Sequence, residues 1–418
     1  MLINMSVCYL DSEIKTSCYG CEACVQACSR KAITMVEDDE GFRYPRIDDS
    51  LCIHCGLCRK VCPHSNPPER FHEEKSVYGG YHKDAEVRAE STSGGGFSAI
   101  VDAWCDDNYV IFGAVADGLN VRHEYITDKK ALGKFRKSKY SQSQIGTAYF
   151  DTKKFLREGR KVLFSGTPCH IAALKSFLRN KSYENLLMVE VVCEGVPSPL
   201  YVRKYDAYLQ DKYKSSIRDL DYRYTDSAPL KSKDRITPGK WDFEVMHTVM
   251  NNGRVLKVDR WLNPFWSIWL SHLMSRPSCY ECPFAAAERN ADITLGDLWG
   301  VHLYCPDLYG RNGGSSLVVC NSAQGKAVWQ IAQQYMHGRE LSFETALKYQ
   351  GPMRSHIASN PLRDACMADL RACDYQTINK KWAKKPTVKL LWQKYVWGNR
   401  QKVWLWNILH HLKITSIK

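Results

Sequence analysis

Acidic residues are missing from the end of this 418-residue chain. Lys380 to Lys418 holds ten Lys or Arg and no Asp or Glu. Removing that +10 from the formal net charge of +13 leaves +3 for everything upstream, so the body lacks the charge excess of a general nucleic-acid binder. Long apolar runs are also missing. No stretch of eighteen apolar residues is present to span a membrane. The opening MLINMSVCYLDSEIK has neither the basic start nor the apolar run of a secretory leader, and the expected location is a reducing cytoplasm. Eighteen cysteines would suit a disulfide scaffold only in a much shorter secreted chain. Hydrophobic content of 44% and charged content of 25% are those of a globular protein with room for two or three domains.

What is present is a spacing. C-x2-C-x2-C-x3-C occurs at Cys18, Cys21, Cys24 and Cys28, and again at Cys52, Cys55, Cys58 and Cys62. Thiolates two residues apart in a tight loop reach three corners of an iron–sulfur cube, and the fourth cysteine of each run ligates the other cluster. The spacing predicts one 4Fe–4S cluster on Cys18, Cys21, Cys24 and Cys62 and a second on Cys52, Cys55, Cys58 and Cys28. Structural zinc is the competing use of thiol pairs, but its ligands rarely come as two four-cysteine runs. The pattern resembles the bacterial two-cluster ferredoxin domain. Pro63 follows the second run as that pattern expects, whereas Ser29 stands in the corresponding place after the first. Cys8 lies outside the spacing and reads as a packed thiol.

Between the runs, AITMVED and FRYPRID flank DEG, the signature of a short hairpin. Residues 1–66 therefore read as a ferredoxin-type domain and the proline-rich, charged residues 67–76 as a linker. From Val77, strands alternate with helices: SVYGGYH, YVIFGAVAD, KVLFSGTP, LLMVEVV, DITLGDLWG and SSLVVCNS read as strands. SGGGFSAIVDAWCDD, DTKKFLREGR, HIAALKSFLRN and QGKAVWQIAQQYMHG read as helices. Ser215 to Val258 is more polar and strand-like. The expected fold is an α/β main domain with a mixed sheet over 77–375, a small α+β two-cluster ferredoxin-like domain in front, and a helical tail over 376–418.

Four further cysteines sit where strands end or loops begin: Cys169 in GTPCH, Cys193 in VVCEGVPSP, and Cys279 and Cys282 in CYECP. Two single cysteines and one C-x2-C suffice for a third cluster, although isolated cysteines are more often core residues. Five segments, STSGGGFSA, KSKYSQS, VLFSGTPCHIAALK, VVCEGVPSP and CYECPFAAAERNADITLGDLWG, resemble the coenzyme F420 hydrogenase/dehydrogenase beta-subunit family, which includes flavoproteins similar to 7-hydroxymethyl chlorophyll reductase. The resemblance implies that Cys169, Cys193, Cys279 and Cys282 hold a 4Fe–4S cluster beside an FAD. His170 departs from the family's usual glutamine. Cys105, Cys305, Cys320, Cys366 and Cys373 match no ligand pattern.

A flavin joins one-electron and two-electron chemistry, which is a reason to fuse such domains. Ser93, Gly94, Gly95 and Gly96 precede a helix, where glycine N–H groups can meet a phosphate; the run is not a G-x-G-x-x-G fingerprint. Lys139, Tyr140 and Ser143 match the family's flavin-proximal K-Y-x-x-S segment, with Thr167 and Pro168 shaping the cavity between flavin and cluster. Gly296, Asp297 and the turn Gly313-Gly314-Ser315 rank below these. His170 and Glu194 adjoin expected ligands and could supply a proton or simply hold structure, so no catalytic residue is named. The reading is an oxidoreductase drawing electrons from a ferredoxin-like donor and reducing an unidentified small molecule. A relay subunit and a coenzyme F420-linked subunit remain alternatives, and a homo-oligomer is left open. The basic tail carries Trp382, Trp392, Trp397, Trp404 and Trp406, which suits the inner face of a membrane or a partner subunit better than nucleic acid.

Overall fold

Period-two apolar patterning builds the main sheet. The computed structural model describes residues 7–224, 245–309, 313–397 and 399–412. In the amino-terminal region β1 (Ile33–Glu37) pairs antiparallel with β2 (Arg43–Ile47), the expected hairpin. The main domain carries β3 (Ser76–His82), β4 (Tyr109–Asp117), β5 (Asn120–Ile126), β6 (Lys161–Gly166), β7 (Leu186–Val191), β8 (Ile217–Tyr224), β9 (Val245–Met250), β10 (Val255–Asp259), β11 (Ile293–Asp297), β12 (Ser316–Cys320) and β13 (Met336–Leu341).

Eight of these strands form one sheet in the order β13-β3-β12-β11-β7-β6-β4-β5. The centre, β11-β7-β6-β4, is parallel and the flanking pairs are antiparallel. Val110, Phe112, Val162, Phe164, Leu186 and Met188 face the helices Ala148–Arg157 and Pro168–Phe177. Their neighbours Ile111, Leu163, Leu187 and Val189 face the helices Gly96–Trp104 and Ala323–Ala332. Both faces are covered, as a parallel core requires. The mixed α/β sheet is thus the one expected.

Three stretches differ from the sequence reading. The reading gives no strand for Asn120–Ile126, yet β5 returns from β4 through the two-residue turn Gly118-Leu119, closed by the pair Asp117 and Asn120. The helix expected to run through QYMHG stops at Ala332, and the chain enters β13 at Met336. Residues 67–76 lie along the main domain: Phe71 bridges to Arg289, Arg70 donates to the Pro283 carbonyl at 2.8 Å, and Lys175 donates to the Glu69 carbonyl at 2.6 Å. The polar stretch near Ser215–Val258 supplies a separate antiparallel sheet, β10-β9-β8, packed on the helices Pro199–Tyr213 and Pro264–Trp269; its residues 225–244 lie outside the described ones.

The glycine run at 94–96 is explained by packing. Gly94 donates its N–H to Ser316 Oγ at 2.9 Å and accepts from the His82 N–H at 2.6 Å. A Cβ there would lie 2.3 Å from the Gly80 oxygen and 2.5 Å from the Ser316 nitrogen. Gly94→Ala is therefore expected to cost roughly 1–3 kcal/mol, read as a lowered urea midpoint. An unchanged midpoint would mean that the backbones do not approach this closely.

Candidate functional site

The first cysteine loop folds back on the end of the second. Cys18, Cys21, Cys24 and Cys62 line one cavity, together with Cys8, Cys58, Tyr19 and Met35. This is the set that the spacing assigns to one cluster. Gly20 has φ +65° and donates its N–H toward Cys18 Sγ at 3.4 Å, so the loop turns its amide inward onto sulfur. Burial, then the neighbouring thiols, raises the Cys21 and Cys24 thiols well above their ordinary value. Of the other set, Cys28, Cys52 and Cys58 are half-buried and Cys55 is exposed. The Ala32 N–H donates toward Cys28 Sγ at 3.3 Å and the His54 N–H toward Cys52 Sγ at 3.4 Å. Leu51 and Ile53 stand exposed on the same loop.

The remaining four ligand candidates also meet. Cys169 follows β6, Cys193 follows β7, Cys279 lies in the short 3-10 turn Pro277–Glu281, and Cys282 directly follows it. All four line one cavity of about 600 Å3, counting its open mouth, with Tyr19, Arg276, Pro168 and Glu194. Because β6 and β7 are parallel neighbours, the residues after them emerge at the same sheet edge, where open α/β sheets place their ligands. Burial pushes the Cys169 thiol up to about 11 and the Cys279 thiol up to about 12. Thiols held neutral by burial and mutual repulsion are deprotonated when they coordinate a metal, so both donor sets suit a cationic cluster. Among the described residues no three His, Cys, Asp or Glu close on a single point as one ion's ligands would; the thiols ring cavities instead.

One residue, Tyr19, lines both cavities. Its hydroxyl pairs with His64 Nδ1 at 3.1 Å and its ring meets Phe284 edge-on. Beside it Arg276, 1% exposed, donates to the Cys18 carbonyl at 2.9 Å, Gln142 Oε1 at 2.9 Å and the Arg43 carbonyl at 3.0 Å, with its guanidinium 4.4 Å from the Tyr44 ring centre. The first cysteine loop also caps a helix of the main domain. Glu22 accepts the N–H groups of Ile145 and Gly146, both at 3.1 Å, and pairs with Arg43 at 3.0 Å. Gln26 accepts those of Tyr149 and Phe150 at 3.0 and 3.1 Å. The Tyr149 and Phe150 amides belong to the first turn of the helix Ala148–Arg157, which cannot satisfy them itself, and Ile145 and Gly146 lie just before it. None of Tyr19, Arg276, Glu22 or Gln26 stands out in the sequence as functional; their nearness to cysteine runs is the only signal.

The residues expected around a flavin fall in several places. Gly94 and Gly96 both give their N–H groups to Ser316 Oγ, and Ser93 gives its hydroxyl to the Ser315 carbonyl, so these groups are committed within the chain. Tyr140 packs edge-on against Trp266 and Trp269. Lys139 Nζ donates to the carbonyls of Arg136 at 2.6 Å and Lys134 at 3.1 Å, and among the described residues no carboxylate pairs with it. Burial pushes it down to about 8. Ser143 donates to His123 Nδ1 at 2.7 Å while His123 Nε2–H donates to the Ser165 carbonyl at 3.0 Å, and burial takes His123 to about 4. His170 meets this ring edge-on at 5.2 Å and neither of its nitrogens has a hydrogen-bond partner; burial lowers it well below the ordinary histidine value. Thr167 Oγ1 contacts Cys169 Sγ at 3.1 Å, and Pro168 opens the helix that carries Cys169. Asp297 pairs with the buried Arg223 from β8, tying the small sheet to the end of β11.

Two outcomes follow. Arg276→Met strands one buried and two part-buried acceptors, at a cost of roughly 3 kcal/mol. The amino-terminal domain should then unfold in urea ahead of the main domain; one shared transition at the wild-type midpoint would refute the joint. For Lys139, the folded chain releases a proton near pH 8 that the unfolded chain holds to 10.5, so stability rises with pH across that window. In cofactor-free protein Lys139→Met should abolish this component, worth up to roughly 3 kcal/mol at pH 7, as seen in unfolding curves at pH 7 and 10.5. Parallel wild-type and variant pH dependences would contradict it.

Comparison with known proteins matches two separate stretches of the chain. Residues 159–342 match the family described as the carboxy-terminal part of the coenzyme F420 hydrogenase/dehydrogenase beta subunit, and residues 17–66 match the 4Fe-4S dicluster domain. The ketoisovalerate oxidoreductase subunit VorC of Methanothermobacter marburgensis is 33% identical over 57 residues, 13% of this chain and 72% of that protein. A chain of the F420-reducing [NiFe] hydrogenase complex from Methanosarcina barkeri, solved with xenon, is 15% identical, with 75% of this chain and 91% of that chain covered. Its TM-score of 0.40 is too low to carry an argument. In the described residues no helix is long and apolar enough to cross a membrane. The chain is an iron–sulfur electron-transfer protein related to the coenzyme F420 hydrogenase/dehydrogenase beta subunits, whose carboxy-terminal family its residues 159–342 match, with a 4Fe–4S dicluster domain joined in front at residues 17–66.

Proposed function

We propose that the chain is a flavin-dependent iron–sulfur oxidoreductase that draws electrons from a ferredoxin-like donor and delivers them to an organic substrate. The observation that carries the reading is the cavity ringed by Cys169, Cys193, Cys279 and Cys282, one residue, Tyr19, away from the cavity of the first cysteine set. Clusters in those places would be near neighbours. Electrons would enter at the exposed Cys52–Cys58 loop, where Leu51 and Ile53 offer an apolar docking edge, and cross the Tyr19 layer to the third set.

The third cluster would be held by those four cysteines. FAD, when bound, supplies the exchange between single electrons and a hydride. Lys139 fits it, being a half-buried cation held by carbonyls, with Asp221 acting on it only from beyond ion-pair distance, and a phosphate would balance its charge. The 93–96 segment does not fit as a phosphate cradle, because the N–H groups of Gly94 and Gly96 are committed to Ser316. Burial keeps His123 and His170 neutral at pH 7, so neither adds charge beside Cys169. A relay subunit that passes electrons to a partner is the second reading, favoured by the relative's being a subunit.

Iron, sulfide and flavin content of anaerobically purified protein tests the proposal. About twelve iron atoms and one flavin per chain are expected, falling to about eight iron atoms in Cys169→Ser. Eight in both proteins would remove the third cluster. Twelve without flavin, and no turnover of any organic acceptor, would leave the relay.

A further inference from the structure

We propose that the last two helices hold the protein against an anionic phospholipid bilayer. The basic, tryptophan-rich stretch divides at Pro386. Before it, the helix Tyr375–Trp382 belongs to the body: Ile378 is buried, Trp382 Nε1 donates to Asp369 at 2.7 Å, and the Lys384 N–H donates to Ser267 Oγ at 2.6 Å. After it come the helices Val388–Tyr395 and Asn399–His411, the second resting on the short helix Val301–Tyr304.

Their outer side chains are apolar. Val388, Trp392 and Val396, exposed by 83%, 57% and 48%, recur every four residues and so share one helical stripe. Trp397 is exposed next in sequence, as are Trp404 and Leu405 on the second helix and Leu412 just past it. Of twenty-one large apolar side chains exposed among the described residues, these are seven, within twenty-five positions. Such concentration marks an interaction surface rather than scatter.

Charge selects the occupant. Lys385, Lys389, Lys394, Arg400 and Lys402 lie in the same stretch, with no acid between Lys380 and the end of the chain. A second copy would set this positive charge against itself. Nucleic acid would satisfy the lysines and leave the valines and leucines in water. A lipid headgroup layer takes both, phosphate for the cations and the acyl boundary for the tryptophans and aliphatics. Helices of eight and thirteen residues are about 12 and 20 Å long, short of the roughly 30 Å hydrocarbon core. They would lie in the interface and not cross it.

Co-sedimentation of the full chain decides this, using vesicles of phosphatidylcholine with about 30% phosphatidylglycerol and vesicles of phosphatidylcholine alone. The pelleted fraction should be at least about tenfold greater on the anionic vesicles and should fall between about 0.1 and 0.5 M salt. Trp392→Gln combined with Trp404→Gln should lose about tenfold of the binding while keeping wild-type iron content, which separates docking from misfolding. Equal pelleting on both vesicle types, no pelleting at all, or wild-type pelleting by the variant would overturn the proposal. So would a dimer in gel filtration that the same variant dissolves, or duplex DNA binding that it abolishes.

Discussion

A single buried guanidinium fixes how the two halves of this protein meet. Arg276 sits three residues before Cys279 and reaches the carbonyl of Cys18, the carbonyl of Arg43 and the side chain of Gln142. Burying a cation is costly unless every donor finds an acceptor, and here the acceptors come from both domains. The geometry is therefore satisfied only when the dicluster domain is seated. The same side chain lines the cavity of the third cysteine set, so the register of one site against the other rests on it.

The parallel centre of the sheet explains why cysteines so distant in sequence converge. Crossover connections bring the ends of β6, β7 and β11 to one edge. Cys169, Cys193 and Asp297 follow from that topology, not from their spacing. The small sheet then closes the edge through Arg223, which reaches from β8 to Asp297. Arg223 and Asp297 are thus satisfied across elements, and each depends on the other's strand being in place.

Much of this was legible in the residues. Ligand spacing is a local property, so the eight cysteines of the two runs could be grouped before any coordinates, and the first cavity gathers one of those groups. Alternating strands and helices likewise reveal the α/β class. What could not be read was partnership across long separations. Gly94 carries the composition of a phosphate loop, yet it serves the close approach of β3 and β12, which the sequence does not announce. Arg276 and Glu22 look like ordinary charged residues until the surfaces they join are known. The tail's composition shifts near Gln376, but its contacts change only at Pro386, because the helix Tyr375–Trp382 buries Ile378 and ties down Trp382.

The capping of the helix Ala148–Arg157 from outside makes that helix depend on the cysteine loop. Glu22 lies between two ligand candidates, and Gln26 between the third and fourth cysteines of the first run; both side chains are spent on amides of the other domain. The loop is thereby held against the main domain, with Tyr19 walling its cavity. The first turn of the helix Ala148–Arg157 thus takes its cap from a side chain 123 positions away, and it is complete only when the two domains are seated on each other.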